Sequence, residues 1–211
     1  MKYTEYENFD SLKKHEEGCY FIDRIDRHSS IVILAPHGGR IEPGTVEIAR
    51  EIARGVYSLY CFIGLRGNRK DLGDGRMESL HLPSYKFDEP EAVRLVKARK
   101  LALAVHGLKD AAARQFQGLD IYVGGLNPDA RERVVANLKR KNFSVGDCMC
   151  AGFENFRHKG SDPKNIVNMC KGEKGGVQLE ITRRERSALV GNGRRMKRFC
   201  DAIREALDSF V

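Results

Sequence analysis

Short apolar runs separated by stretches of helical period set the limits on what this chain can fold into. Ile31–Ala35 (IVILA), Tyr57–Ile63 (YSLYCFI), Lys100–Val105 (KLALAV), Leu119–Val123 (LDIYV) and Gly176–Thr182 (GVQLEIT) are short and bounded by turn residues, so they read as buried strands. Phe143–Cys148 is a further strand candidate. Between them lie helical patterns: Thr45–Arg54 stopped by Gly55, and Glu89–Ala98 with Asp88 as cap and Pro90 in its first turn. Asn127-Pro128-Asp129 opens another helix, Ala130–Lys141. A terminal helix, Arg194–Phe210, places Met196, Phe199, Cys200, Ile203 and Leu207 on one face. Strands alternating with helices predict an α/β domain with a mixed or largely parallel sheet, and 211 residues suit one domain, 1–211.

Two of these strands carry a histidine at the carboxyl end, followed by glycine: His37 after IVILAP and His106 after KLALAV. In open α/β sheets this is the end where ligands bind. Glycine after each histidine is expected to let the backbone turn away and leave room for a ligand. Glu42 follows His37 by five residues and offers an oxygen. Two histidines and a carboxylate with a fourth position open form the ligand set of hydrolytic zinc sites, where water is acidified and a carbonyl polarised. Such a site also needs a base. Glu180 stands inside the apolar strand GVQLEIT, where burial would raise its pKa toward a working range. Each residue also has a plain structural reading: a strand-end histidine can serve only as a hydrogen-bonding residue, and Glu180 can pair with Arg183 or Arg184.

The segments HGGRIEPGT (37–45), LHLPSYKFDEPEA (80–92), LAVHGLKD (103–110), IYVGGLNPD (121–129) and GGVQLEITRRER (175–186) occur in this order, and together they resemble the poly-γ-glutamate hydrolase family of phage and prophage zinc enzymes. The resemblance spans roughly residues 15–205 and implies a carboxypeptidase-like, three-layer α/β sandwich around a central mixed sheet. It also implies one zinc ion on His37, Glu42 and His106, with Glu180 as catalytic glutamate. Carboxypeptidases place their glutamate three residues after the first histidine, where this chain has Arg40. The assignment of Glu42 over Glu47 therefore follows the HGGxIE pattern of the smaller family.

The implied substrate is an anionic polymer bearing a free α-carboxylate on every residue. The chain has 37 Lys and Arg against 29 Asp and Glu, a net charge of +8, which suits such a partner. The irregular stretch Gly64–Pro83 reads as a functional loop, and its Arg66, Arg69 and Arg76 are candidates for gripping substrate carboxylates. The basic runs 131–141, 182–186 and 194–198 also allow a nucleic-acid-binding replication accessory, but the chain shows no helix-turn-helix or zinc-finger pattern and has no tryptophan. Taken singly, each run reads as solvated surface. His81 reads as a packed structural residue, and His15, His28 and His158 as surface residues. The six cysteines are expected to be free buried thiols, although Cys148 and Cys150 would share a strand face. No apolar run approaches the roughly 18–20 residues that span a bilayer. The polar N-terminus lacks a secretory pattern, so a cytoplasmic location with release by lysis is expected.

Overall fold

The computed structural model describes residues 3–4, 6–66, 70–71 and 77–211. Its main sheet has seven strands: β1 (Tyr20–Ile25), β2 (Ile31–Gly39), β3 (Ser58–Gly64), β4 (Leu101–Leu108), β5 (Ile121–Gly124), β6 (Val145–Asp147) and β7 (Val177–Thr182). Their order across the sheet is β1-β3-β2-β4-β7-β5-β6. The four central strands β3, β2, β4 and β7 run parallel, while β1 and β5 pair antiparallel with their neighbours β3 and β7. The sheet is mixed and largely parallel, as the strand–helix alternation predicts. All of β3 and the first eight residues of β2 are buried. Strands covered on both faces need no polar alternation, which is why they appear as unbroken apolar runs.

The longer helices are α1 (Phe9–His15), α2 (Thr45–Ala53), α3 (Pro90–Lys97), α4 (Pro128–Arg140), α5 (Arg183–Gly191) and α6 (Gly193–Leu207). On one face, Ile33, Leu103, Val105 and Leu179 pack against Ile48, Ile52, Val134, Leu138, Phe199 and Ile203 from α2, α4 and α6. On the other, Leu34, Phe62, Ala102 and Ala104 pack against Leu12, Leu95, Val96 and Ile166. The result is three layers. The predicted stripe of α6 is buried throughout, each large apolar side chain contributing roughly 1.5–3 kcal/mol.

Several local expectations shift. Helix α3 is capped by Glu89, whose carboxylate accepts from Ala92 N at 2.8 Å. Asp88 lies one residue too early for that role and instead accepts from Phe9 N at 2.7 Å, tying down the start of α1. All six cysteines are free, but only four are buried, Cys19 being half-buried and Cys150 exposed, and Cys148 and Cys150 do not share a strand face. The strand ends at Asp147, so Cys148 is buried, donating to the Val123 carbonyl, while Cys150 is exposed. Among the described residues, no helix is long and apolar enough to cross a membrane.

Candidate active site

Strands β2 and β4 are neighbours, yet the chain leaves them in opposite directions, from β2 toward β3 and from β4 toward β5 beyond β7. That reversal opens a crevice beyond their carboxyl ends. His106 and Glu180 are register partners on β4 and β7 and share a face with Ala102, Ala104 and Gln178. His37 would fall on the opposite face if β2 were regular, because Ile31, Ile33 and Ala35 all face α2. A bulge between Ala35 and Gly38 adds one residue to β2, against Cys61 and Ile63 on β3. The extra residue reverses the alternation and turns His37 toward His106 and Glu180.

The glycines after the histidines serve packing and do not open the pocket. A Cβ on Gly38 would collide with Val46 of α2 and the Phe62 carbonyl. On Gly107 it would stand 2.5 Å from the guanidinium of Arg186 in α5.

His37, Glu42 and His106 converge. One ligand atom from each lies within 4.8 Å of the others. His37 Nδ1 is 3.1 Å from His106 Nδ1 and 3.1 Å from Glu42 Oε1. His37 Nε2 donates to the Leu82 carbonyl at 2.8 Å, because a carbonyl can only accept. His106 Nε2 meets Ser84 Oγ at 3.3 Å. With the outer ring nitrogens so engaged, the Nδ1 atoms and a carboxylate oxygen surround one position that calls for positive charge, a proton at least. Two imidazole nitrogens and a carboxylate, with their outer atoms held by the protein, fit a zinc ion. The Gly107 amide donates to Glu42 Oε2 at 2.7 Å and orients that carboxylate. Burial works to raise the Glu42 carboxyl, but His37 and His106 beside it prevail and hold it well below the ordinary carboxylate range.

Glu180 is the opposite case. Burial, reinforced by the Glu42 charge, holds its carboxyl well above the ordinary range. Its Oε1 accepts from Gln178 Nε2 at 2.9 Å, and it makes no ion pair with Arg183 or Arg184 among the described residues. Arg184 pairs instead with Asp120. Gln178 is itself fixed: Nε2 also donates to the His158 carbonyl at 3.2 Å, and Oε1 accepts from Asn165 Nδ2 at 2.9 Å. Gln178→Leu would strip partners from all three groups. We expect it to lower stability by about 2 kcal/mol and kcat roughly tenfold, through a misplaced Glu180. Denaturant titration beside steady-state kinetics checks this, and wild-type values for both would show that the network positions nothing.

These residues line a cleft of about 1130 Å³, whose walls also carry Arg40, His81, Lys109, Arg157, Arg183 and Arg186. His81 is therefore a cleft residue and not a packed structural one. Its ring lies 4.0 Å from that of His37, and the His37 charge, then burial, pushes its pKa down to about 3. His15, His28 and His158 are exposed as expected, although His158 also borders the cleft. Arg66 lies elsewhere, with its guanidinium on the fully buried Glu16. Arg69 and Arg76 lie outside the described residues. Sequence reasoning passed over Gln178 and Arg186. Gln178 stands two residues before Glu180 and so shares its strand face, a signal available from the sequence. Arg186 was hidden inside the run TRRER.

Residues 6–211 match the poly-gamma-glutamate hydrolase family. The chain belongs to that family. The prophage-derived UPF0714 protein YoqZ of Bacillus subtilis strain 168 is 35% identical over 86% of this chain and 60% of its own length. The chain thus spans less than two thirds of that relative. YndL, from the same organism, is 30% identical over 88% of this chain and 67% of its own. A solved bacteriophage poly-gamma-glutamate hydrolase superposes with a TM-score of 0.79 at 31% identity, covering 97% of each chain. A zinc-free apo form of YndL gives 0.80 at 29% identity over 98% of each.

Proposed function

We propose that this member of the poly-gamma-glutamate hydrolase family is a zinc-dependent amidohydrolase that cuts γ-glutamyl amide bonds in poly-γ-glutamate. The observation that carries the reading is the pair of Nδ1 atoms facing each other beside Glu42, in the same cleft as a buried carboxyl held above its ordinary range. His37, Glu42 and His106 would hold the ion. Zinc bound there supplies Lewis acidity to the scissile carbonyl and to water.

The chain's own residues do the rest. Glu180 takes a proton from the attacking water and returns it to the leaving amine, a double role that suits a carboxyl whose burial favours its protonated form. Gln178 holds the carboxylate at the hydrogen-bonded oxygen, leaving the other oxygen for the proton. Arg40, Lys109, Arg157 and Arg183 line the cleft, and none makes an ion pair among the described residues. They give a polyanion counter-charges that the protein itself does not consume. Arg66 is spent on Glu16 and drops out of this role, while the assignments of Arg69 and Arg76 stand as sequence-based proposals only.

The test is depolymerisation. Poly-γ-glutamate should lose viscosity and molecular mass, and α-linked polyglutamate should be cut far more slowly. Chelator should stop the reaction and zinc restore it. Equal turnover of the two polymers would show that the linkage is not read, and full activity after complete metal removal would end the zinc assignment.

A further inference from the structure

Arg186 is a buried cation with an unfinished set of hydrogen bonds. It is 5% exposed and sits where α5 crosses the end of the sheet, against Gly107. A guanidinium has five N–H donors. Nε donates to the Pro43 carbonyl at 2.8 Å, and Nη1 donates to the Ile181 and Leu108 carbonyls. These bonds fix the plane of the group against the loop that carries Glu42 and the ends of β4 and β7. Nη2 has no acceptor among the described residues, although the residue lines the cleft and lies near Glu42 and Glu180. The groups it hydrogen-bonds are all neutral carbonyls, and burial lowers its pKa despite the nearby Glu42 and Glu180. A rigid, desolvated fork with one free edge is built for an anionic oxygen.

The polymer supplies one at a defined place. In a γ-linked chain the carbon three bonds from the scissile carbonyl, on the amine side, is a carboxylate. In an α-linked chain the same position is a neutral amide carbonyl, and the carboxylate is five bonds away at the end of a side chain. We propose that Arg186, through Nη2, receives the amine-side α-carboxylate and thereby distinguishes γ-linked from α-linked substrate. This rests on the function proposed above. The exposed Arg40, Lys109, Arg157 and Arg183 attract the polymer but lack fixed geometry, so they count charge without reading where it sits.

The experiment uses two synthetic γ-linked glutamate oligomers, identical except that one carries a carboxamide in place of the α-carboxylate on the amine side of the scissile bond. The wild-type enzyme should lose about 10²-fold in kcat/KM on the carboxamide. Arg186→Gln should turn over the two oligomers at nearly equal rates, and Arg183→Ala should keep the wild-type ratio. A wild-type ratio within about threefold would overturn the proposal without any variant, so poor folding of Arg186→Gln cannot rescue it. A wild-type ratio kept by Arg186→Gln, or lost in Arg183→Ala, would overturn it too. Wild-type enzyme inert on the unmodified oligomer would instead remove the functional reading beneath it.

Discussion

Glu180→Gln should give a folded, metal-loaded protein that turns over about 10²–10⁴-fold more slowly, the usual worth of a positioned acid–base group. The fold should survive because the amide is nearly isosteric and its oxygen can still accept from Gln178 Nε2. It also removes a carboxyl that burial holds well above its ordinary range, so no stabilising charge interaction is lost. The amide cannot take a proton from water. The loss should therefore fall on kcat more than on KM. Zinc content, melting temperature and kcat, measured together, separate this from a structural role, which predicts lower stability with unchanged activity per folded molecule. A metal-loaded and fully active Glu180→Gln enzyme would end the mechanism.

His37→Ala and His106→Ala should each abolish stoichiometric zinc binding and, with it, activity. Three protein ligands cannot lose one without a large cost in affinity, and each histidine is further oriented by an outer contact, to Leu82 or to Ser84. Glu42→Gln should weaken retention less completely, because a neutral amide is a poorer donor than a carboxylate but still has an oxygen for the Gly107 amide to bind. Elemental analysis after dialysis checks the series. A full zinc equivalent in both histidine variants would refute the ligand assignment.

The core of this site was legible because its residues break local rules. Histidines closing apolar runs and a glutamate inside one are costly unless given a task. Their meeting was not legible, since it depends on β2 and β4 being neighbours and on the bulge that turns His37. The buried strands and α2, α4 and α6 stood out through strong apolar patterns. Strand β1 did not: it is an edge strand with Phe21 and Ile25 exposed and with Asp23 ion-paired to Arg50. Helix α5 starts directly after β7 with Thr182 as cap, and its charged first turn resembles solvated surface. Arg66 was misread because its partner Glu16 is 50 residues earlier. Arg183, Arg184 and Arg186 are near neighbours with three fates: one lines the cleft with no ion-pair partner among the described residues, one pairs with Asp120, one is buried. Charge counts cannot separate them.

The bulge in β2 makes strand register itself a determinant of chemistry. Counted along a regular strand, the thirty-seventh side chain belongs on the α2 face; the one extra residue between the paired positions Ala35 and Gly38 is what sets it on the other. Pairing β2 in regular register through this point, with no residue removed, would carry the imidazole to the α2 side of the sheet while leaving every site residue present in the sequence. Two relatives could thus share the full set of His and Glu residues and still differ as catalyst and inert scaffold. A matching set of His and Glu residues is therefore a site only where the irregular pairing of β2 is kept.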